Sequence, residues 1–281
     1  MAKNGFYLAV GHKGVRMSSR DARTWSKPEM DDRRYFRTVA FGNNTAIAAG
    51  KNDYSVTKDG KNWSKAQSLP KGGNGIGFIT YGNGQFIGTG TDVNYNGTTF
   101  YYTDDGQNWT KDDQKGKGLL RLVWGDNQYV AVGGSGRIAR SKDGRKWEDA
   151  PDTKPIDTLI DVAYGDGTYV GVGLHGLRMS SQDGLKWNFK ERGLEGEHFN
   201  TVIWTGEKFV AVGNGGTLES PNGRSWERIP NENAPLACCY GDGVFVGSHW
   251  KGRILRSTDG YKFDEVLKLD NHIEAIIYAE A

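Results

Sequence analysis

The 281 residues carry 36 Lys and Arg against 34 Asp and Glu, and no apolar run of about 18 residues. On that balance neither nucleic acid nor a membrane is expected as an obligatory partner. The 41 glycines and the 12% aromatic content suit many tight turns and stacked sheets that share thin interfaces. Two adjacent cysteines, Cys238 and Cys239, would point to opposite faces of a strand, so no disulfide framework is expected.

Met1-Ala2-Lys3 runs almost directly into a strand. If an export leader has been trimmed, a secreted or periplasmic location is expected; otherwise the compartment is not readable. The first strand is Phe6 to Val10, ending at Gly11 in an aromatic-aliphatic-small-Val-Gly pattern. The same pattern returns as Tyr129-Val-Ala-Val-Gly133 and Phe209-Val-Ala-Val-Gly213. After each such strand comes a turn, a third strand, and a box of the form Ser141-Lys-Asp143-Gly144-Arg-Lys-Trp147. The box aromatic recurs at Trp25, Trp63, Trp109, Trp147, Trp187, Trp226 and Phe263. Asp-Gly is a strong hairpin signal, because Gly takes positive φ and the Asx side chain caps the turn. Ser or Thr two residues earlier can bond into the same turn. Before each second strand stands another strand that ends in an aromatic: Phe41, Tyr81, Trp124, Tyr164, Trp204, Tyr240 and Tyr278.

Four short strands repeated seven times predict an all-β, seven-bladed β-propeller of four-stranded antiparallel blades in one domain spanning 1–281. The predicted blades are 272–281 with 4–30, then 35–68, 75–113, 118–150, 157–192, 198–230 and 234–268. The C-terminal strand thus completes the first blade, a one-plus-three clasp that leaves no open edge. Blade three carries an insertion, Asp92 to Gly97. The boxes and the Val-Ala-Val-Gly strands resemble the Asp-box repeat propellers, of sialidase type and of the photosystem assembly-factor-like repeat family. The resemblance implies the fold over nearly the whole chain. Here Gly directly follows Asp, one residue tighter than the usual sialidase spacing, and no arginine triad maps onto this sequence.

In such blades the turn between strands two and three lies on the same face as the link into the next strand one. On this upper face fall His12, His175, His198, His249 and His272, in blades five, six, seven and one. Imidazole is a common metal ligand and general base. Two readings follow for these residues. His175, His198 and His249 are candidate catalytic groups, and His12, His175, His249 and His272 are candidate ligands for a transition metal. In the other reading they are ligand contacts, together with Trp250, Arg33, Arg34, Tyr35 and Arg37. Trp250 has no slot in the repeat, so an exposed stacking platform is expected. Arg121, Asp161, Asn200 and Glu274 are expected near the start of strand one, Glu195 and Glu197 beside His198, and Lys13, Lys51, Asp53 and Lys251 in the turns. Phosphate loops, metal-protease helices and nucleophile elbows are absent from the sequence. The expected function is a non-catalytic recognition propeller, a monomer binding a glycan, peptide or protein. The alternative is a carbohydrate-active lyase or hydrolase using the histidines, with Arg or Lys neutralising an acidic substrate.

Overall fold

Each box closes on its own hydrogen bonds. Ser141 Oγ donates to Asp143 Oδ1 at 3.0 Å and accepts the Gly144 N–H at 2.9 Å. Asp143 Oδ1 then accepts the N–H groups of Arg145 and Lys146 at 2.8 and 2.9 Å. The same carboxylate cap on the two following N–H groups appears at Asp21, Asp59, Asp105, Asp183 and Asp259, and Asn222 does it with an amide oxygen. Gly144 has φ 74°, where glycine carries no steric penalty. The first box lacks the glycine, and Ala22 is held there at φ 57°.

The computed structural model describes residues 5–94, 96–151, 157–214, 216–231 and 233–280. Its strands form seven antiparallel sheets, and the chain is an all-β seven-bladed propeller. The blade-five sheet is typical: Leu159–Gly165, Thr168–Gly173, Arg178–Ser181 and Asn188–Glu191, each paired with the next. The first sheet joins Ile273–Ala279 to Phe6–Gly11 and Arg16–Ser19, so the C-terminal strand closes the ring. Its fourth segment differs from the expected regular strand. It is held by the isolated bridges Ser19 to Trp25 and Arg16 to Glu29, by Ser26 N–H on Ser18 O at 2.8 Å and by Ser18 N–H on Ser26 Oγ at 3.1 Å. Pro28 lies within it and has no N–H to give a ladder. Of the blade-three insertion, Tyr95 lies outside the described residues. Around it Asp92 Oδ1 accepts the N–H groups of Asn94 and Asn96 at 2.9 and 2.7 Å.

The chain divides into two compact units. One comprises residues 1–90, 99–113 and 237–281, the other 91–98 and 114–236. In the first unit Phe6, Leu8, Val10, Phe36 and Val39 form one core, with Trp63 packed on it. Tyr7, Val15, Met17, Ile254 and Ile276 form another, with Trp25 on it. In the second unit Val130, Val132, Leu159, Val162 and Tyr169 pack with Trp187. Val170, Val172, Phe199, Phe209 and Leu218 pack with Trp226. Each cluster lies between two successive sheets, so the box aromatic fastens its blade to the one before. The aromatic ending strand one does the same. A Cβ on Gly165 would sit 2.1 Å from the Trp204 ring, and one on Gly241 2.0 Å from Tyr278. Those glycines are required by close approach, not by their φ.

The first strands of five blades carry the same irregularity. Register shifts between Phe36 and Thr38, Leu119 and Arg121, Leu159 and Asp161, and Phe199 and Thr201 leave one residue unpaired. In the first sheet Val10 pairs with Ala275 and Gly11 with Ile273, leaving out Glu274. A bulge re-aims the side chain of its extra residue. Arg37, Asn200 and Glu274 stand at such positions. Among the described residues no helix is long and apolar enough to cross a membrane.

Candidate functional site

In the first unit the bulged Glu274 is the hub. His12 follows the strand Phe6–Gly11, and its backbone N–H bonds His272 O at 2.9 Å. His12 also bridges to Tyr35. These backbone contacts bring three side chains together. Glu274 Oε1 accepts from the Tyr35 hydroxyl at 2.7 Å and lies 2.8 Å from His12 Nε2. His272 Nε2 is 3.9 Å from the same oxygen. Among the described residues Glu274 Oε2 has no hydrogen-bond partner. The rings pack around this carboxylate. His12 meets Tyr35 edge-on at 4.6 Å and His272 edge-on at 5.4 Å. Trp250 stacks on His272 at 4.7 Å, with an interplanar angle of 17°. The Arg37 guanidinium lies 5.3 Å over the Tyr35 ring. Trp250 is 62% exposed and Tyr35 is 37% exposed, so the cluster is open to solvent.

The electrostatics follow the packing. Burial, and then the Glu274 carboxylate, push the Tyr35 hydroxyl up to about 12. Burial lowers His272, with His12 adding to that and Glu274 opposing it. Burial also lowers His249, helped by Arg253 and His272. His272 Nδ1 is buried without a hydrogen-bond partner. Both imidazoles are therefore held toward the neutral form.

The two arginines expected beside Tyr35 are occupied differently. Arg34 Nη1 pairs with Asp53 at 2.6 Å, and its Nε lies 3.6 Å from Asp31. Arg33 is 83% exposed beside Asp31. Neither has a contact with the carboxylate hub among the described residues.

In the second unit His175 and His198 meet. Their rings are 5.5 Å apart and edge-on, and His198 Nδ1 accepts the His175 N–H at 3.2 Å. His175 has φ 53°. Glu197 is 6% exposed and is spent on structure. It pairs with Arg228 and accepts the Leu194 N–H at 3.1 Å. Asp161 accepts the Val202 N–H at 2.9 Å, and burial pushes its carboxyl up to about 6, against the pull of Arg121. The five histidines thus fall into groups belonging to separate units, His12, His249 and His272 in the first and His175 and His198 in the second. Among the described residues no three of His, Cys, Asp and Glu form a group that could hold a metal ion. Glu274 was placed by sequence near the start of strand one but not among the ligand contacts. Its signal is the bulge, which composition does not show.

No protein-family model matches the chain, and no curated protein does. Solved structures do. YCF48 bound to D1 peptide aligns at 23% identity with a TM-score of 0.60, over 79% of this chain and 76% of that one. A candidate 6-phosphogluconolactonase of Bacteroides uniformis aligns at 8% identity with a TM-score of 0.73, over 99% and 100%. The WD40 propeller domain of Doa1 aligns at 12% identity with a TM-score of 0.64, over 92% and 88%. What these proteins share with the chain is the fold.

Proposed function

We propose that the chain is a non-catalytic recognition propeller that binds a peptide segment of a partner protein on the face carrying His12, Tyr35, Trp250, His272 and Glu274. The observation that carries this is the 62% exposed Trp250 ring, held flat on His272 beside a carboxylate that is already oriented. An exposed aromatic fixed by a neighbour loses little entropy on contact, which favours its use as an anchor. The polar groups support binding over catalysis. A tyrosine held protonated, with its hydroxyl spent on Glu274, is a poor base, and two hydrogen bonds on one oxygen make Glu274 an orienting acceptor. The likeness to YCF48, a propeller bound to a peptide, supports the same class of ligand. We also infer that the chain belongs with the Asp-box propellers; the repeated carboxylate caps support that reading.

The test uses the purified chain and its Trp250→Ala variant on a peptide array and a glycan array in parallel. The expected result is peptide binding that Trp250→Ala weakens about tenfold or more, as befits loss of an aromatic anchor. Binding to glycans alone, or peptide binding unchanged in Trp250→Ala, would overturn the proposal.

A further inference from the structure

A second site lies in the second unit, at the box turn of blade five, and shares no residue with the cluster around Glu274. The outer strand Asn188–Glu191 is irregular. Ser180 pairs with Asn188 and Arg178 with Glu191, so Phe189 and Lys190 together face Met179. The extra residue turns Phe189 outward. Phe189 has φ 53°, a left-handed conformation that a bulky L-residue adopts only when its surroundings impose it. Its ring is 51% exposed. A large apolar side chain is thus displayed to water from a costly backbone geometry.

Arg224, from the next box, lies over that ring, its guanidinium carbon 4.9 Å from the centroid. Cation–π contact holds the guanidinium against the ring while its N–H groups remain as donors for a ligand. Beneath is a cleft of about 180 Å³, lined by Phe189, Arg224, Lys186, Asn188, Gln182 and Thr168 among others. Neither Arg224 nor Lys186 has an acidic partner among the described residues. The one carboxylate in the lining, Asp183, accepts from the Ser181 hydroxyl and from the N–H groups of Leu185 and Lys186; burial works against it, but these hydrogen bonds and then Arg140 hold it low. The comparable cleft at the blade-four box holds Glu148 beside Arg140 and has no aromatic in its lining. Two uncompensated cations beside an exposed ring occur together at the blade-five turn.

We propose that this cleft binds an anionic arene, a flat ring bearing a carboxylate or a phosphate. The anion meets the guanidinium edge and the Lys186 ammonium, and the ring packs along Phe189. Charge-assisted hydrogen bonds would supply the affinity and the aromatic contact the selectivity. The left-handed backbone at Phe189 is what places the ring there.

Calorimetric titration with phenyl phosphate, benzoate, inorganic phosphate and benzyl alcohol tests this. At least one anionic arene is expected to bind about tenfold tighter than both inorganic phosphate and benzyl alcohol. The better of the two arenes identifies the anion. Arg224→Ala and Lys186→Ala are each expected to lose about tenfold. Phe189→Gly is the sharper probe: glycine relieves the left-handed strain, so Tm should rise while the preference for arenes over inorganic phosphate disappears. Phe189→Asn, which also tolerates that conformation, should behave likewise. Arenes binding no tighter than inorganic phosphate, no detectable binding up to millimolar concentrations, or an arene preference that survives Phe189→Gly would each overturn the proposal.

Discussion

At the scale of single residues, the boxes show what one atom type contributes. Asp59 and Asp105 are held well below the usual carboxylate range by two backbone N–H groups and by the amide of an Asn three residues on. Asp21, with two backbone N–H groups but no such amide, is lowered to about 2. Asn222 accepts the same pair, from Arg224 and Ser225, at 2.9 and 3.1 Å without a charge. A carboxylate there would make both hydrogen bonds charge-assisted. Asn222→Asp is therefore expected to stabilise the chain by about 0.5–1 kcal/mol near pH 7, discounted for the exposure of the turn. Chemical denaturation at neutral pH and at pH 3 checks this. The gain should be present above the unfolded carboxylate pKa and shrink as pH falls through the lowered folded value. An equal gain at both pH values would mean that the carboxylate is not acting as a cap.

At the scale of the element, position in the blade decides what an aromatic is worth. The tryptophans of the boxes are half-buried. Trp147, half-buried like the others, donates its indole N–H to Gly144 O at 2.9 Å. Trp147→Ala should cost about 2–3 kcal/mol, below the ~3–5 of a fully buried tryptophan. Trp250→Ala, which loses only the stack on His272, should cost about 0.5–1 kcal/mol. Urea melts of the two variants check the order, and a Trp250→Ala chain as unstable as Trp147→Ala would place that ring in the core. The strand pattern was legible in the sequence because Asp-Gly turns and aromatic-Gly ends recur at every blade, and each has a local cause. Trp250 was legible as the tryptophan that the repeat did not require. Glu274 and Phe189 were not read as contacts, because a bulge adds one residue without changing composition and reverses which side chain faces out. The pairing of Arg34 was not legible for a related reason. Its partner Asp53 sits on the third strand of the next blade, 19 positions away, and nothing local reveals the pair.

At the scale of the whole molecule, these groups combine into a pH profile whose signs can be worked out. His272 and His249 have folded values below 6.5, so they contribute stability above that pH and lose it as pH falls through their folded values. Asp161 acts in the opposite sense. With a folded value of about 6, above an ordinary carboxylate, it takes up a proton in the folded state first, and stability rises as pH falls through that value. Between roughly pH 7 and pH 4 the two contributions oppose each other and flatten the profile. Below about pH 4 the caps of Asp21, Asp59, Asp105, Asp143, Asp183 and Asp259 all act together. Their folded values are lowered, so each contributes stability above the unfolded value, and all lose it in the same acid range. A flat region followed by a steep acid fall is the expected shape. Asp161→Asn isolates one part of it, since the amide oxygen can still accept the Val202 N–H while carrying no charge. Its Tm should exceed that of the unmodified chain near pH 8, with the gap closing as pH falls below about 6. Thermal melts followed by circular dichroism across that range decide the matter. A gap that stays constant with pH would mean that Asp161 does not titrate there, and that the flat region has another origin.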